Sequence, residues 1–290
     1  MSTMAAFAVT ALGGLAYGLL LFVIAAGLAL IVGVMHVMNL AHGASYLVGT
    51  YLAYLITDGT LTGLGIAVLV GIVAATLGGA ALSVLLRPLE GHTDQAVVTL
   101  GLGFIASWVF TLTTDGETLV PPRPAILDGH VSLAGHGYPV YHLAFIGVAA
   151  LIAASMHAVL HHSIAGIRLR AAVDDPLMAA AIGLSPARIR TIAIAVGTAL
   201  AVTAGVLGAP VLSPGPGVDS TVLTLSLIVL ILAGPGTRIG GLLIAAIGVG
   251  MVQTVGVITV PALASFVLFL VVIAVLVIRG RRGLQTGVPA

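Results

Sequence analysis

The 290-residue chain has no cysteine and no lysine, and only 7% of its residues are charged. Without cysteine there is neither a disulfide nor a thiolate metal site. Without lysine there is no ordinary P-loop, whose lysine binds the nucleotide phosphates. All ten basic residues are arginine, and no formal charge precedes Asp58. The N-terminal region therefore lacks the basic n-region of a secretory signal peptide. A soluble domain carries about 25% charged residues, so a soluble fold is excluded.

What fills the chain instead is apolar. Hydrophobic residues make up 60% and the mean hydropathy is +1.24. The runs are continuous and rich in Leu, Ala, Val, Ile and Gly, unlike the alternating strands of a membrane β-barrel. The fold class is all-α, a polytopic transmembrane helical protein. It forms one transmembrane domain over 1–290. Predicted spans are 11–34, a second run ending near 56, then 63–86, 96–113, 141–160, 189–211, 221–233, 239–257 and 262–278. The 221–233 run is short for a crossing, so the tally is eight to nine with a broken or re-entrant helix.

Arginine placement sets the orientation. With 166–190 in the cytoplasm, alternation leaves Arg87, Arg238, Arg279, Arg281 and Arg282 inside and only Arg123 outside, as the positive-inside rule expects. Nine crossings put the N-terminus outside. The external segment, about 114–139, contains Pro121, Pro122 and Pro124 and reads as an ordered loop or short strands. It is either a connector or a docking place for an external partner.

One long polar stretch interrupts the apolar pattern. The cytoplasmic loop, about 161–190, has its polar core at 166–190 and encodes a short helix. Asp175 is a natural N-cap, Pro176 suits N1, residues 177–182 give about two turns, and Gly183 is placed to end them at C′. Two turns are marginal alone in water, so a partner is expected to support this helix.

Other polar groups lie at membrane depth. Asn39, His42 and Gly43 interrupt the apolar pattern early in the chain. Asn39 either caps the next helix, with His42 bonded to a neighbouring helix, or the capped half-helix points its dipole at a translocation path. The break 234–241, with Gly234 and Gly236, has a similar context, and the pair points to an internal repeat or to two helix-packing patches. Thr99 and Gln253 are uncharged polar groups within apolar runs, each readable as bonded to a neighbouring backbone. The nine histidines, including His157, His161 and His162, show no metal-ligand spacing. No catalytic motif is present, so no enzyme acting alone is expected, and nothing implies a nucleic-acid partner.

The stretch Val37-Met38-Asn39-Leu40-Ala41-His42-Gly43, followed by Leu47-Val48-Gly49-Thr50-Tyr51, resembles the Asn-x-Ala-His-Gly signature of branched-chain amino acid ABC transporter permeases. The segment from Arg168 to Gly183 resembles that family's cytoplasmic loop, and the segment from Gly234 to Gly250 its Gly-Gly-x-Gly helix, with Pro235 at the second glycine. Gln253 stands where an acidic residue is often found. The resemblance implies an importer in a prokaryotic cytoplasmic (inner) membrane, with two permease subunits, alike or different. It also implies an extracytoplasmic substrate-binding protein and ATP-binding cassette subunits that bind the ATP, while this chain binds no cofactor. Asp174, Asp175, Pro176, Ala180 and Gly183, with Arg170 and Ala171 before them, would enter an ATPase cleft. Asn39, His42, Gly43, Thr99, Gly234, Gly236 and Gln253 would border the substrate pathway. The solutes of such proteins are leucine, isoleucine and valine, with relatives handling other amino acids, amides and urea. The alternative is a stand-alone secondary transporter or channel, which needs titratable groups in its spans.

Overall fold

In a bilayer every backbone N–H and C=O must be satisfied internally, and a helix does this within one segment. The structure, a computed structural model, follows that rule, and it describes residues 3–35, 39–89, 91–133, 135–234, 239–259 and 264–286. The helices are α1 (Thr3–Met35), α2 (His42–Ile56), α3 (Leu61–Leu85), α4 (His92–Thr113), α5 (Val140–His162), α6 (Ile164–Asp174), α7 (Pro176–Ala181), α8 (Pro186–Gly208), α9 (Val218–Ala233), α10 (Ile239–Thr259) and α11 (Ala264–Thr286). A 3-10 turn (Ala125–Leu127) and a two-stranded antiparallel hairpin, β1 (His130–Leu133) and β2 (His136–Pro139), occupy the segment between α4 and α5. That segment is thus ordered, as its prolines imply.

Among the described residues six helices are long and apolar enough to cross a membrane: α1, α3, α4, α5, α8 and α10. The 15-residue α2 and the 16-residue α9 are shorter. At about 1.5 Å per residue each reaches only some 22–24 Å, less than a hydrocarbon core of about 30 Å. These are the broken elements the sequence leads one to expect, although α9 starts at Val218 and α8 at Pro186, each three residues earlier than their apolar runs imply.

The core is built around α1 and α8. Their backbones meet where a Cβ on Gly27 would overlap the Gly197 carbonyl, and a Cβ on Gly197 would sit 2.6 Å from the Gly27 carbonyl. Small residues permit such close approach, which in lipid gains packing rather than hydrophobic energy. Leu20 packs on Gly208 while Gly27 packs on Gly197, so the two helices run antiparallel. The start of α1 therefore lies on the side reached by the end of α8. On that side Arg123 donates to the Pro210 carbonyl at 3.0 Å. Gly71 of α3 packs on Val202, and Gly79 on Ala195 nearer the start of α8, so Arg87 falls on the side of Arg188 and Arg190.

The packing also has a two-part pattern. α1 lies along α10 as α8 lies along α3, and α2 and α9 touch each other. This relates α1–α2–α3 to α8–α9–α10. In this arrangement the break before α2 corresponds to the 209–217 turn before α9. The expected match with the 234–241 break is thereby corrected, and residues 235–238 of that break lie outside the described residues.

Candidate functional site

The chain between α1 and α2 turns back inside the bundle. His42, the first residue of α2, is fully buried, and its Nε2–H donates to the Ile24 carbonyl of α1 at 3.0 Å. Ile24 lies roughly 16 Å from the Met35 end of α1 at about 1.5 Å per residue, so α2 starts well within the bundle. A carbonyl only accepts, which fixes the ring proton on Nε2. Asn39 is buried too, but it does not cap α2 in the expected way. Its Oδ1 accepts from the Ala41 N–H at 3.1 Å, and the residue at the N-cap is Ala41, with no side-chain cap bond. Asn39 closes the turn before the helix, because it stands two residues ahead of the N-cap position at Ala41. Thr99 completes the knot from α4. Its hydroxyl accepts from the Leu40 N–H at 3.2 Å and donates to the Ala96 carbonyl at 3.0 Å.

Gly43 explains itself by what lies against it. A Cβ there would overlap the Asp219 carbonyl and stand 3.0 Å from the Leu223 Cβ, both on α9. The structure puts Asp219 in the first turn of α9, against the first turn of α2. Among the described residues His42 Nδ1, Tyr46 OH, Thr198 Oγ1 and Asp219 Oδ1 are buried without a protein partner on α2, α8 and α9, as are atoms of Gln95, His136, Tyr138 and His142 elsewhere. Buried polar atoms are normally hydrogen-bonded, so water or a change of conformation is the ready partner for each of these atoms. Sequence reading missed Tyr46, Thr198 and Asp219. Tyr46 does stand four residues after His42, on the same helical face.

Gln253 is elsewhere. It lines a cavity of about 240 Å³ between α9, α10 and α11, together with Ser220, Thr221, Thr224 and Phe269. Ser220, Thr221 and Thr224 share one exposed face of α9. Their hydroxyls donate back to carbonyls of Gly217 and Ser220, which reduces but does not remove their polarity. The structure therefore brings Asn39, His42, Gly43 and Thr99 together and sets Gln253 apart from them. Gly234 ends α9 at φ 88°, ψ 175°, a conformation open essentially to glycine alone. Gly236 lies outside the described residues.

The polar loop holds two helices rather than one. α6 is capped by Ser163, whose hydroxyl accepts from the Gly166 N–H at 3.2 Å. Arg170 turns back to the Leu160 carbonyl, and the Ala171 carbonyl accepts from the Asp175 N–H at 3.1 Å. Asp174 is the exposed last residue of α6. Asp175 then caps α7, its Oδ1 accepting from Leu177 N–H at 3.0 Å and Met178 N–H at 2.9 Å, with Pro176 at N1. At the other end Leu184 N–H donates to the Ala179 carbonyl and Gly183 N–H to that of Ala180, each at 3.0 Å. With Gly183 at φ 86° this is a Schellman ending. Ala179 is buried, and α7 rests on α6 and α8. Leu177, Met178 and Ile182 are 85%, 60% and 68% exposed, an apolar knob on the arginine-rich side.

At the end of α5, His157 and His161 stack at 4.4 Å, and the Nδ1 of His161 lies 3.1 Å from the His157 carbonyl. Among the described residues no group of three His, Asp or Glu side chains is placed to hold a metal ion.

Broken apolar helices around a buried polar knot, with a capped apolar knob outside the membrane, define a multi-pass membrane transport subunit. The chain belongs to the family described as "Branched-chain amino acid transport system / permease component", whose model matches residues 6–276. It is 27% identical, over 252 residues, to the high-affinity branched-chain amino acid transport system permease protein BraD of Pseudomonas aeruginosa. The match covers 80% of this chain and 81% of the relative. The solved structure of PsaBC from Streptococcus pneumoniae in complex with Fab aligns at a TM-score of 0.46 and 14% identity, covering 93% of this chain and 88% of that chain.

Proposed function

We propose that this chain is the membrane-spanning permease of an ABC importer for branched-chain amino acids or related small polar solutes. A separate ATPase drives it, and an extracytoplasmic binding protein feeds it, in the cytoplasmic (inner) membrane of a prokaryote. The observation that carries this reading is α7. A two-turn helix fixed at both ends and held by one buried alanine presents three bare apolar side chains where water would otherwise meet them. Such a surface needs a protein partner. The partner we assign is the ATPase, with Asp174, Asp175, Pro176, Ala180 and Gly183 shaping the knob and Arg170 and Ala171 bracing its base. ATP binding to that partner then shifts a pair of permeases between inward- and outward-facing states through differential affinity.

For the solute path we assign the hydroxyl-bearing face of α9 with Gln253. Exposed hydroxyls and an amide are poorly placed against lipid, and a second permease facing this side would enclose them. The knot of Asn39, His42, Gly43 and Thr99 supports α9 from behind. One observation favours a stand-alone ion-coupled transporter, namely the unpartnered Asp219 oxygen. The test is solute uptake into proteoliposomes. The importer reading expects uptake only when the ATPase, ATP and the binding protein are all present. Uptake by the permease alone along an ion gradient, lost in Asp219→Asn, establishes the other.

A further inference from the structure

α5 packs chiefly on α1 and α6, and α8 on α1, α2 and α3, so the two helices stand apart. Between them is a cavity of about 790 Å³, closed at the back by Leu30 of α1. Its volume falls within the roughly 300–1,000 Å³ of small-ligand sites. The walls are apolar, and Leu151 of α5 and Ile192 and Val196 of α8 are exposed, so the groove opens sideways at membrane depth. Its polar end, next to the cytoplasmic loop, carries Arg168 of α6 and Arg188 of α8. Among the described residues neither guanidinium has a hydrogen-bond acceptor or an ion-pair partner, unlike Arg170, which bonds to the Leu160 carbonyl.

We infer that this groove holds an anionic phospholipid, its acyl chains between α5 and α8 and its phosphate on Arg168 and Arg188. An empty apolar void forfeits the dispersion contacts of its lining, and acyl chains restore them. Guanidinium groups match phosphate oxygens in geometry and charge. Basic pockets between transmembrane helices on the cytoplasmic side are suited to anionic headgroups. A zwitterionic lipid would bring its ammonium close to the same two arginines, so the site discriminates by charge. A lipid wedged here would brace α5 and α8 at the root of the loop that carries α7. This inference stands whichever solute the protein moves.

The experiment is native mass spectrometry of the full-length permease titrated with phosphatidylglycerol, with phosphatidylethanolamine of the same chains, and with inorganic phosphate. The expected result is preferential retention of phosphatidylglycerol by wild type and no binding of phosphate alone. Arg168→Gln and Arg188→Gln are each expected to reduce that preference roughly fivefold. Val196→Trp, which fills the groove, is expected to reduce retention of both lipids. Equal retention of the two lipids by wild type overturns the inference without recourse to any variant. So does a preference that survives the double glutamine change, binding of phosphate alone as tight as that of the lipid, or retention unchanged by Val196→Trp.

Discussion

Gly43 in the first turn of α2 lies directly against the backbone carbonyl of Asp219 in the first turn of α9. Two short helices thus begin at one point inside the bundle. Neither can move along its axis without disturbing the other, and both are shorter than the hydrocarbon core. This contact couples the buried knot around His42 to the hydroxyl-lined face of α9.

Gly43→Ala is expected to weaken the junction, because its Cβ overlaps a backbone carbonyl that has no flexible end to give way. Overpacking of this kind typically costs about 1–3 kcal/mol. Thermal unfolding in detergent should show a lowered midpoint, and ATP-driven uptake should fall further than the amount of folded protein. An unchanged midpoint would mean that α2 and α9 can part freely.

His42→Leu removes the donor to the Ile24 carbonyl and leaves that carbonyl without its side-chain partner. The expected loss is about 1 kcal/mol, the net worth of one hydrogen bond. His42→Gln retains an N–H donor and should recover part of it. If leucine and glutamine behave alike in thermal unfolding, the bond contributes nothing and the imidazole acts by volume alone.

The absence of cysteine allows single-cysteine labelling in an otherwise native chain. Thr224→Cys and Gln253→Cys are expected to react with a membrane-impermeant thiol reagent in the assembled transporter, with bound solute protecting them. Leu77→Cys, on the exposed apolar face of α3, should stay unreactive. Equal protection from labelling at all three positions would remove the α9 face from the solute path.

Gly183→Ala places a side chain at φ 86°, a left-handed conformation that costs a non-glycine residue about 1–2 kcal/mol. The ending of α7 should fray while the transmembrane bundle stays intact. Hydrogen exchange at Leu184, whose N–H closes the motif, should rise well above that of the α8 amides. Unchanged protection there would show that contacts with α6 and α8 hold α7 without the glycine.

Local grammar was legible in the sequence wherever neighbours along the chain decide the outcome. Asp175, Pro176 and Gly183 cap, start and stop α7 through bonds to residues no more than five positions away. The long apolar runs became helices because lipid leaves the backbone no other choice. α6 escaped notice because Arg168 and Arg170 look like a solvated linker, although Ser163 three residues before Gly166 was a usable start signal. The meeting of Gly43 with Asp219 was not legible, since it joins residues far apart in the chain through a backbone carbonyl that carries no side-chain signature. The same holds for Thr99 bonding to Leu40 and for the separation of Gln253 from Asn39. The break near residue 39 was visible; what it packs against was not.

The central claim is that α7 is the handle through which an ATPase drives this permease, and its most direct measurement is co-purification of the ATPase with a charged knob. Leu177→Glu combined with Ile182→Glu changes only side chains that are 85% and 68% exposed, so the permease should fold and insert as before. The account predicts that the ATPase no longer co-purifies, and that ATP-driven uptake is lost while lipid-embedded permease remains at wild-type level. Normal ATPase recovery and normal uptake with both glutamates in place would contradict it.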